Sequence, residues 1–351
     1  MTPAPSSAAR IAAGPTPAGP GAAASAPARP FLAAADALPR TRLAVLPTPL
    51  VPAPRLAEAL GARSLLVKRD DLTGFAFGGN KARLLEFLVA GALADGADTL
   101  LTGGAASSNF CAATAAAARR AGLRCELVIA GQPGPAGPAL ALARSWAASV
   151  RWTEVPDRDS VDAHLPVAAA ELAARGHRPY LIPRGGATAL GAVGCALAAA
   201  ELQEQLAGHG ASRGNVTVVV PTGSGGTLAG LVAGHVLLGR PWALTGCSAS
   251  RPPQAIVPRV LSLAGECLRL LGAEQEPSPG DVTVVDARGP GHGLPSPAGL
   301  AAAEQAMRTE GLMLDPVYTA KALALVPRGR DVVFWHTGGV LDTVAAAKEQ
   351  P

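Results

Sequence analysis

From residue 64 onward, short apolar runs alternate with longer stretches in which apolar side chains recur every three or four positions. The runs at 64–68, 98–102, 125–130, 179–183, 216–220, 242–248, 282–287 and 331–336 predict strands, with a weaker one at 149–155. Helices are predicted at 82–95, 108–121, 137–148, 161–175, 188–206 and 227–238, and near 255–271, 297–310 and 317–326. In the first of these, Leu84, Leu88 and Ala92 share one face, and Gly122 and Gly176 close two others. Repeated strand-then-helix units of this length predict an α/β fold with a parallel sheet covered on both faces. Ligands bind such sheets at the carboxyl ends of the strands, so the loops that follow strands are where chemistry belongs.

Four loops qualify. After the strand at 216–220 comes Thr222-Gly223-Ser224-Gly225-Gly226-Thr227, with a helix opening at once. Glycines let backbone N–H groups converge, and the helix start adds partial positive charge, which suits a phosphate. A tight strand–helix turn is the plainer alternative. No Gly-Lys-Ser/Thr follows, and the third position of a dinucleotide fingerprint is Leu228, so ATP and NAD are not first choices. After the strand at 98–102, Ser107, Ser108 and Asn109 open an alanine-rich helix. They are suited to a carboxylate, or to plain helix capping. Gly78-Gly79-Asn80 leads into Lys81 at a helix start, a poor place for a cation on dipole grounds. Lys81 is either a surface lysine or an amine aimed at an anionic cofactor. Finally, the strand at 331–336 ends in His336-Thr337-Gly338-Gly339, with His336 read as a turn histidine and Thr337 at the sheet edge. No second ligand stands at metal spacing, so no metal is expected.

Composition narrows the class. The chain has 351 residues, a net charge of +4 and 3% aromatics. The positive charge is dispersed, so no nucleic-acid footprint is expected. The five cysteines, Cys111, Cys125, Cys195, Cys247 and Cys267, are scattered, which fits a reducing, cytoplasmic setting. No apolar window predicts a membrane helix. Residues 1–40, rich in Ala, Pro, Gly and Ser, are expected to be a disordered tail rather than a targeting segment.

Taken together, a phosphate cradle, a candidate nucleophilic lysine, a carboxylate-binding helix start and a hydroxyl at a strand end describe pyridoxal 5'-phosphate in an α/β enzyme acting on an amino acid. At this point the chain resembles the D-cysteine desulfhydrase and 1-aminocyclopropane-1-carboxylate deaminase family, of the tryptophan-synthase-β-like (fold type II) class. The matching stretches run in order: LPTPL (46–50), VKRDDLTG (67–74), GGNKARLLEFL (78–88), SSN (107–109), PTGSGGTLAGLVAG (221–234), EGLMLDPVYTAKAL (310–323) and FWHTGG (334–339).

The resemblance implies a two-domain, three-layer α/β/α enzyme with parallel sheets. Residues 41–83 and 181–351 would form the large cofactor-binding domain and 84–180 the small one. It implies that Lys81 bears the cofactor and acts as base at the substrate Cα. Asn109 would partner the phenolic oxygen, and Thr222, Gly223, Ser224, Gly225, Gly226 and Thr227 would hold the phosphate. Thr337 would face the ring nitrogen, Ser107, Ser108 and Asn109 would take the substrate carboxylate, and Tyr318 would stand near the reacting carbon. Ser108 counts among the catalytic candidates. The chain reads Thr319 where the ring-opening deaminases carry an acid, which favours α,β-elimination to pyruvate and ammonia, with deamination as the alternative. Where the family has a second tyrosine, in GPGYG, this chain has His292, and Ser107, Phe110 and Ala112 depart from Q-S-N-H-x-R. These departures point to a different β-substituted amino acid, or to a cofactor-binding protein with altered catalysis. The family also implies a homodimer.

Overall fold

Val216–Thr222 is almost wholly buried, as a central strand must be when helices cover both faces of its sheet. The computed structural model describes residues 29–157, 159–209 and 216–348. In chain order the strands are β1 (Leu50–Pro52), β2 (Ser64–Arg69), β3 (Thr99–Gly104), β4 (Arg124–Ile129), β5 (Ser149–Trp152), β6 (Pro179–Leu181), β7 (Val216–Thr222), β8 (Ala243–Ser248), β9 (Thr283–Asp286) and β10 (Asp331–His336). The helices are α1 (Arg29–Asp36), α2 (Pro54–Leu60), α3 (Lys81–Ala94), α4 (Asn109–Arg120), α5 (Pro138–Ser145), α6 (Ser160–Ala174), α7 (Ala189–Gly208), α8 (Gly226–Leu237), α9 (Pro253–Leu270), α10 (Pro297–Glu310), α11 (Thr319–Leu323) and α12 (Val340–Lys348).

The strands form two sheets. One has the order β1-β2-β10-β7-β8-β9, with β1 antiparallel to β2 and every other pair parallel. The other, β5-β4-β3-β6, is parallel throughout. The last strand, β10, inserts between β2 and β7, so loops distant in sequence leave the same sheet edge side by side. This is the parallel α/β architecture expected of a fold type II enzyme. Among the described residues no helix is long and apolar enough to cross a membrane.

Helix α3 joins the regions around the two sheets. It packs on α7 and on α4 and is buried on nearly all sides, Arg83 and Glu86 included. The expected single apolar face at Leu84, Leu88 and Ala92 is therefore only part of what it buries. Two charges inside a helix core are tolerable because both are paired. Arg83 donates to Asp70 at 2.8 and 2.9 Å, to Glu201 at 3.0 Å and to Thr48 Oγ1 at 3.0 Å. Lys68 pairs with Glu201 and donates to the Thr48 carbonyl at 2.6 Å, while Trp335 Nε1 donates to Asp70 at 2.9 Å. Burial opposes ionisation of Asp70, but Arg83, Lys68 and the Trp335 bond override it and hold the carboxyl below its ordinary range. Much of the LPTPL and VKRDD stretches thus serves as an ionic seat for the start of α3.

Three expectations change. The disordered tail does not extend to residue 40: Arg29–Asp36 is a helix, and Phe31 and Ala35 bury themselves in the core that includes α7. Residues 1–28 of that tail lie outside the described residues. The elements β1, α2 and α12 were not predicted, being three to nine residues long and too short for periodicity to register. The helix expected at 317–326 shortens to Thr319–Leu323.

Candidate active site

The loop before α3 and the loop after β10 touch through their backbones. Asn80 N–H donates to the Thr337 carbonyl at 3.0 Å. A Cβ on Gly338, whose φ is +102°, would stand 2.7 Å from Gly79 Cα. Glycine is required there because nothing larger fits between the strands of chain. That contact fixes Lys81 beside Thr337.

Both residues line a cavity of about 1030 Å³, bounded by the carboxyl-end loops of both sheets. Of the residues singled out in the sequence, Lys81, Ser107, Ser108, Asn109, Gly223, Ser224, His292, Tyr318 and Thr337 all line it. The amine of Lys81 is enclosed by protein yet open to this space. Burial pushes its pKa down, with a small opposing contribution from Cys195. Depression of this kind suits a lysine that must act as a nucleophile.

The glycine loop meets α8 in the expected way. Gly225 takes φ +97° directly before the helix. Among the described residues, the backbone N–H groups of Gly223, Ser224 and Gly225 donate to no other backbone carbonyl, so they remain available to an anion. The flanking threonines sit differently. Thr222 is 2% exposed and its hydroxyl donates to the Val220 carbonyl at 3.2 Å. Thr227 Oγ1 accepts from Asn80 Nδ2 at 2.8 Å, tying the glycine loop to the lysine loop. Thr222, Gly225, Gly226 and Thr227 do not line the cavity; Gly223 and Ser224 do.

At the start of α4, Ser108 is the N-cap, its hydroxyl accepting from Cys111 N–H at 3.2 Å. The capping alternative therefore holds for that hydroxyl, which also hydrogen-bonds the Cys111 thiol. Asn109 donates Nδ2–H to Asp342 at 2.7 Å, and its Oδ1 is buried without a partner. Phe110 lines the cavity, whereas Ala112 is fully buried in the core.

Opposite stand Tyr318 and His292, edge to face with ring centroids 6.1 Å apart. Asp315 sets the tyrosine by accepting from the N–H groups of Val317, Tyr318 and Thr319 at 3.0, 2.7 and 3.0 Å. Thr319 is buried and donates its hydroxyl to the same carboxylate at 2.5 Å, so it shapes the turn rather than the cavity wall. Lys321 donates to the carbonyls of Arg288 and Gly291 and so holds the loop that carries His292. His336 is the turn histidine expected: buried, with Nε2 on the Met313 carbonyl at 2.9 Å and its pKa lowered by burial.

Sequence reasoning missed Asn80, Asp315 and Asp342. Asn80 stands inside the GGNK stretch and Asp315 inside DPVY, where they read as loop residues. Asp342 had a weak signal: it is the one charged residue in 340–347, three residues past the second glycine of the last loop.

Comparison with known proteins agrees with this geometry. The profile of the family described as "Pyridoxal-phosphate dependent enzyme" matches residues 41–338. A D-cysteine desulfhydrase from Salmonella choleraesuis (strain SC-B67) is 40% identical over 315 residues, covering 86% of this chain and 94% of the relative. One from Salmonella paratyphi C (strain RKS4594) is 39% identical over the same shares. Among solved structures, an ACC deaminase homologue superimposes with a TM-score of 0.82 at 32% identity, over 91% of this chain and 98% of that one. A pyridoxal 5'-phosphate-dependent aspartate racemase, at 16% identity and TM-score 0.63 over 88% and 94%, shares the fold alone.

Proposed function

The chain belongs to the pyridoxal-phosphate dependent enzymes and is a lyase of that family, and from that premise we propose that it eliminates the β-substituent of a small amino acid such as D-cysteine, releasing pyruvate and ammonia. The observation that carries this is the placement of Lys81, with its lowered pKa, in one cavity with Gly223, Ser224, Asn109, Thr337 and Tyr318.

The residues present fit pyridoxal phosphate. Free N–H groups at Gly223 to Gly225 suit its phosphate, and the Nδ2 of Asn109, which gives one of its two N–H donors to Asp342, has the other for its phenolic oxygen. The Thr337 hydroxyl suits its ring nitrogen, where a neutral partner leaves the ring less protonated than a carboxylate would. When bound, the cofactor supplies an electron sink for charge developing at the substrate Cα. Lys81 would hold it and, with its lowered pKa, would serve as the base that takes the substrate Cα proton. Ser107 and Ser108, at the start of α4, receive the substrate carboxylate. Tyr318 and His292 flank the reacting carbon and are placed to pass a proton to the leaving group. A histidine there offers ring nitrogens that donate or accept a proton where the tyrosine of GPGYG would offer a hydroxyl.

Ring-opening deamination is the second reading, favoured by the likeness to an ACC deaminase homologue. The carriage of Thr319 rather than an acid speaks against it, and because Thr319 acts through Asp315 its effect on the cavity is indirect. The proposal extends to a cytoplasmic homodimer. Its supports are the five cysteines, all free and buried, and the family resemblance; light scattering tests the stoichiometry. We also propose that the two sheets mark two domains, residues 41–83 with 181–351, and 84–180.

Purified protein should show the visible absorption of lysine-linked pyridoxal phosphate, and Lys81→Ala should abolish it. Pyruvate or 2-oxobutyrate release is then measured with D-cysteine, L-cysteine, β-chloroalanine, serine and the cyclopropane acid. Pyruvate from a β-substituted substrate is expected; no keto acid from any of the five would sink the elimination reading.

A further inference from the structure

Three arginines stand around the Gly223–Gly225 turn, and the roles above use none of them. Arg184 precedes Gly185, whose carbonyl accepts from Ser224 Oγ at 3.5 Å. Arg251 follows Ser250, whose hydroxyl donates to the Gly223 carbonyl at 2.7 Å. Arg259, on α9, donates Nε–H to the Ser224 carbonyl at 3.1 Å. All three line the cavity.

Their charges are unequally matched. Arg184 holds both nearby acids, Asp159 and Asp162, at 2.6 Å each. Arg251 shares Asp159 only at 3.8 Å. Among the described residues Arg259 enters no ion pair, and its bond to Ser224 engages neither Nη group. Glu266, also on the cavity wall, is two turns further along α9 and accepts from Ser262 at 3.1 Å. Burial and the Arg251 and Arg184 charges hold the Arg259 guanidinium below its ordinary pKa, with Asp162 opposing. The group stays charged, and an anion between Arg251 and Arg259 would relieve the repulsion.

The same turn adjoins the residues that flank the reacting carbon. A Cβ on Gly223 would stand 3.2 Å from Tyr318 Cε1. His292 Nδ1 lies 3.4 Å from the carbonyl of Ala249, two residues before Arg251. A substituent leaving past Tyr318 and His292 therefore runs along Ser250 toward Arg251 and Arg259. The cavity, about 1030 Å³, is the size of a site for a drug-sized molecule, of which a three-carbon amino acid is a small part.

We propose that Arg251 and Arg259 form a subsite for a negatively charged group at the far end of the β-substituent, so that the preferred substrates carry an acidic leaving group. This rests on the reading of the chain as a β-eliminating lyase. In that elimination the Cα–H pair becomes the Cα=Cβ bond and the Cβ–X bond breaks with its pair going to X. The leaving atom gains a proton in place of the one lost from Cα, and one water converts the remaining enamine to pyruvate and ammonia.

The test compares S-carboxymethylcysteine with S-carbamoylmethylcysteine, in both enantiomers, on the holoenzyme. The two differ by a carboxylate against a neutral amide of nearly the same shape. The readouts are the acid-to-amide ratio of kcat/KM for pyruvate release and the same ratio of affinities from the shift of the bound cofactor's visible band. Wild type should favour the acid about tenfold, the worth of one hydrogen bond to a charged group. Arg251→Gln and Arg259→Gln should each lower the ratio, the double variant should bring it near one, and Arg259→Lys should retain part of the preference. A variant that folds or binds cofactor poorly lowers both substrates alike and leaves the ratio unchanged. A wild-type ratio at or below one while D-cysteine or β-chloroalanine is turned over, or a preference that survives the double variant, overturns the anion subsite alone. Keto acid from none of these substrates removes the elimination reading itself.

Discussion

At the scale of single residues, Asp342 has a consequence for the protein without its cofactor. Its folded pKa, about 6, lies above the ordinary carboxyl value of 3.8. The native state then binds a proton more tightly than the unfolded chain does. The stabilising contribution is fully present below the unfolded value and is lost as pH rises through about 6. Asp342→Asn has no such loss. Its melting temperature, compared with wild type, should be similar near about pH 4 and higher by a few degrees near about pH 7 in cofactor-free protein. Differential scanning calorimetry checks this, and a difference independent of pH would mean that the carboxyl titrates normally. Lys81 shows how little a single residue says in sequence. Behind a Gly-Gly-Asn turn it read more readily as a surface side chain, and only the company of distant loops changed that. Asn109 was legible as a site residue, but its partner was not, because Asp342 lies 233 positions away and inside a short unpredicted helix.

Among the elements, the contact between the α3 and β10 loops bears the most weight. Gly338 combines φ +102° with a Cβ position 2.7 Å from Gly79 Cα. Gly338→Ala therefore strains the backbone and forces the two loops apart. A cost of about 1–3 kcal/mol is expected from the conformation alone. Because Thr337 and Lys81 stand on the separated loops, pyridoxal phosphate affinity should fall as well. Thermal melting and cofactor titration read the two effects. A variant that loses stability but binds the cofactor as wild type does would show that the lysine is positioned by the ionic seat at Arg83 instead. The regular elements were readable because buried strands and Ala/Leu helices carry clear periods. The seat was not, since Thr48, Lys68, Asp70, Arg83, Glu201 and Trp335 come together only when distant strands and helices have packed.

For the molecule as a whole, the question is whether the regions around the two sheets open together. The cysteines are placed to answer it. Cys111 and Cys125 pack in the core around α4 and β4, Cys267 in the core of α7, α8 and α9, and Cys247 in the core between β8 and α11. Cys195, on α7, packs with the first of these groups and so sits where the regions meet. All five thiols are buried, and burial pushes Cys111 up to about 11 and Cys195, Cys247 and Cys267 up to about 12. A buried neutral thiol does not react, so labelling reports opening. Native protein should give no fast reaction with a thiol reagent, and denaturant should release all five. Helix α3 packs on both α4 and α7, and its Arg83 is locked to the Asp70 turn and to Glu201 of α7. Opening one region alone would strip Arg83 of its buried partners or tear α3 from one of its helices, either of which costs several kcal/mol. The five cysteines should therefore label in one kinetic phase at moderate denaturant, followed residue by residue with mass spectrometry. A faster phase confined to Cys111 and Cys125 would mean that the β5-β4-β3-β6 region opens on its own and that the seat under α3 does not couple the two.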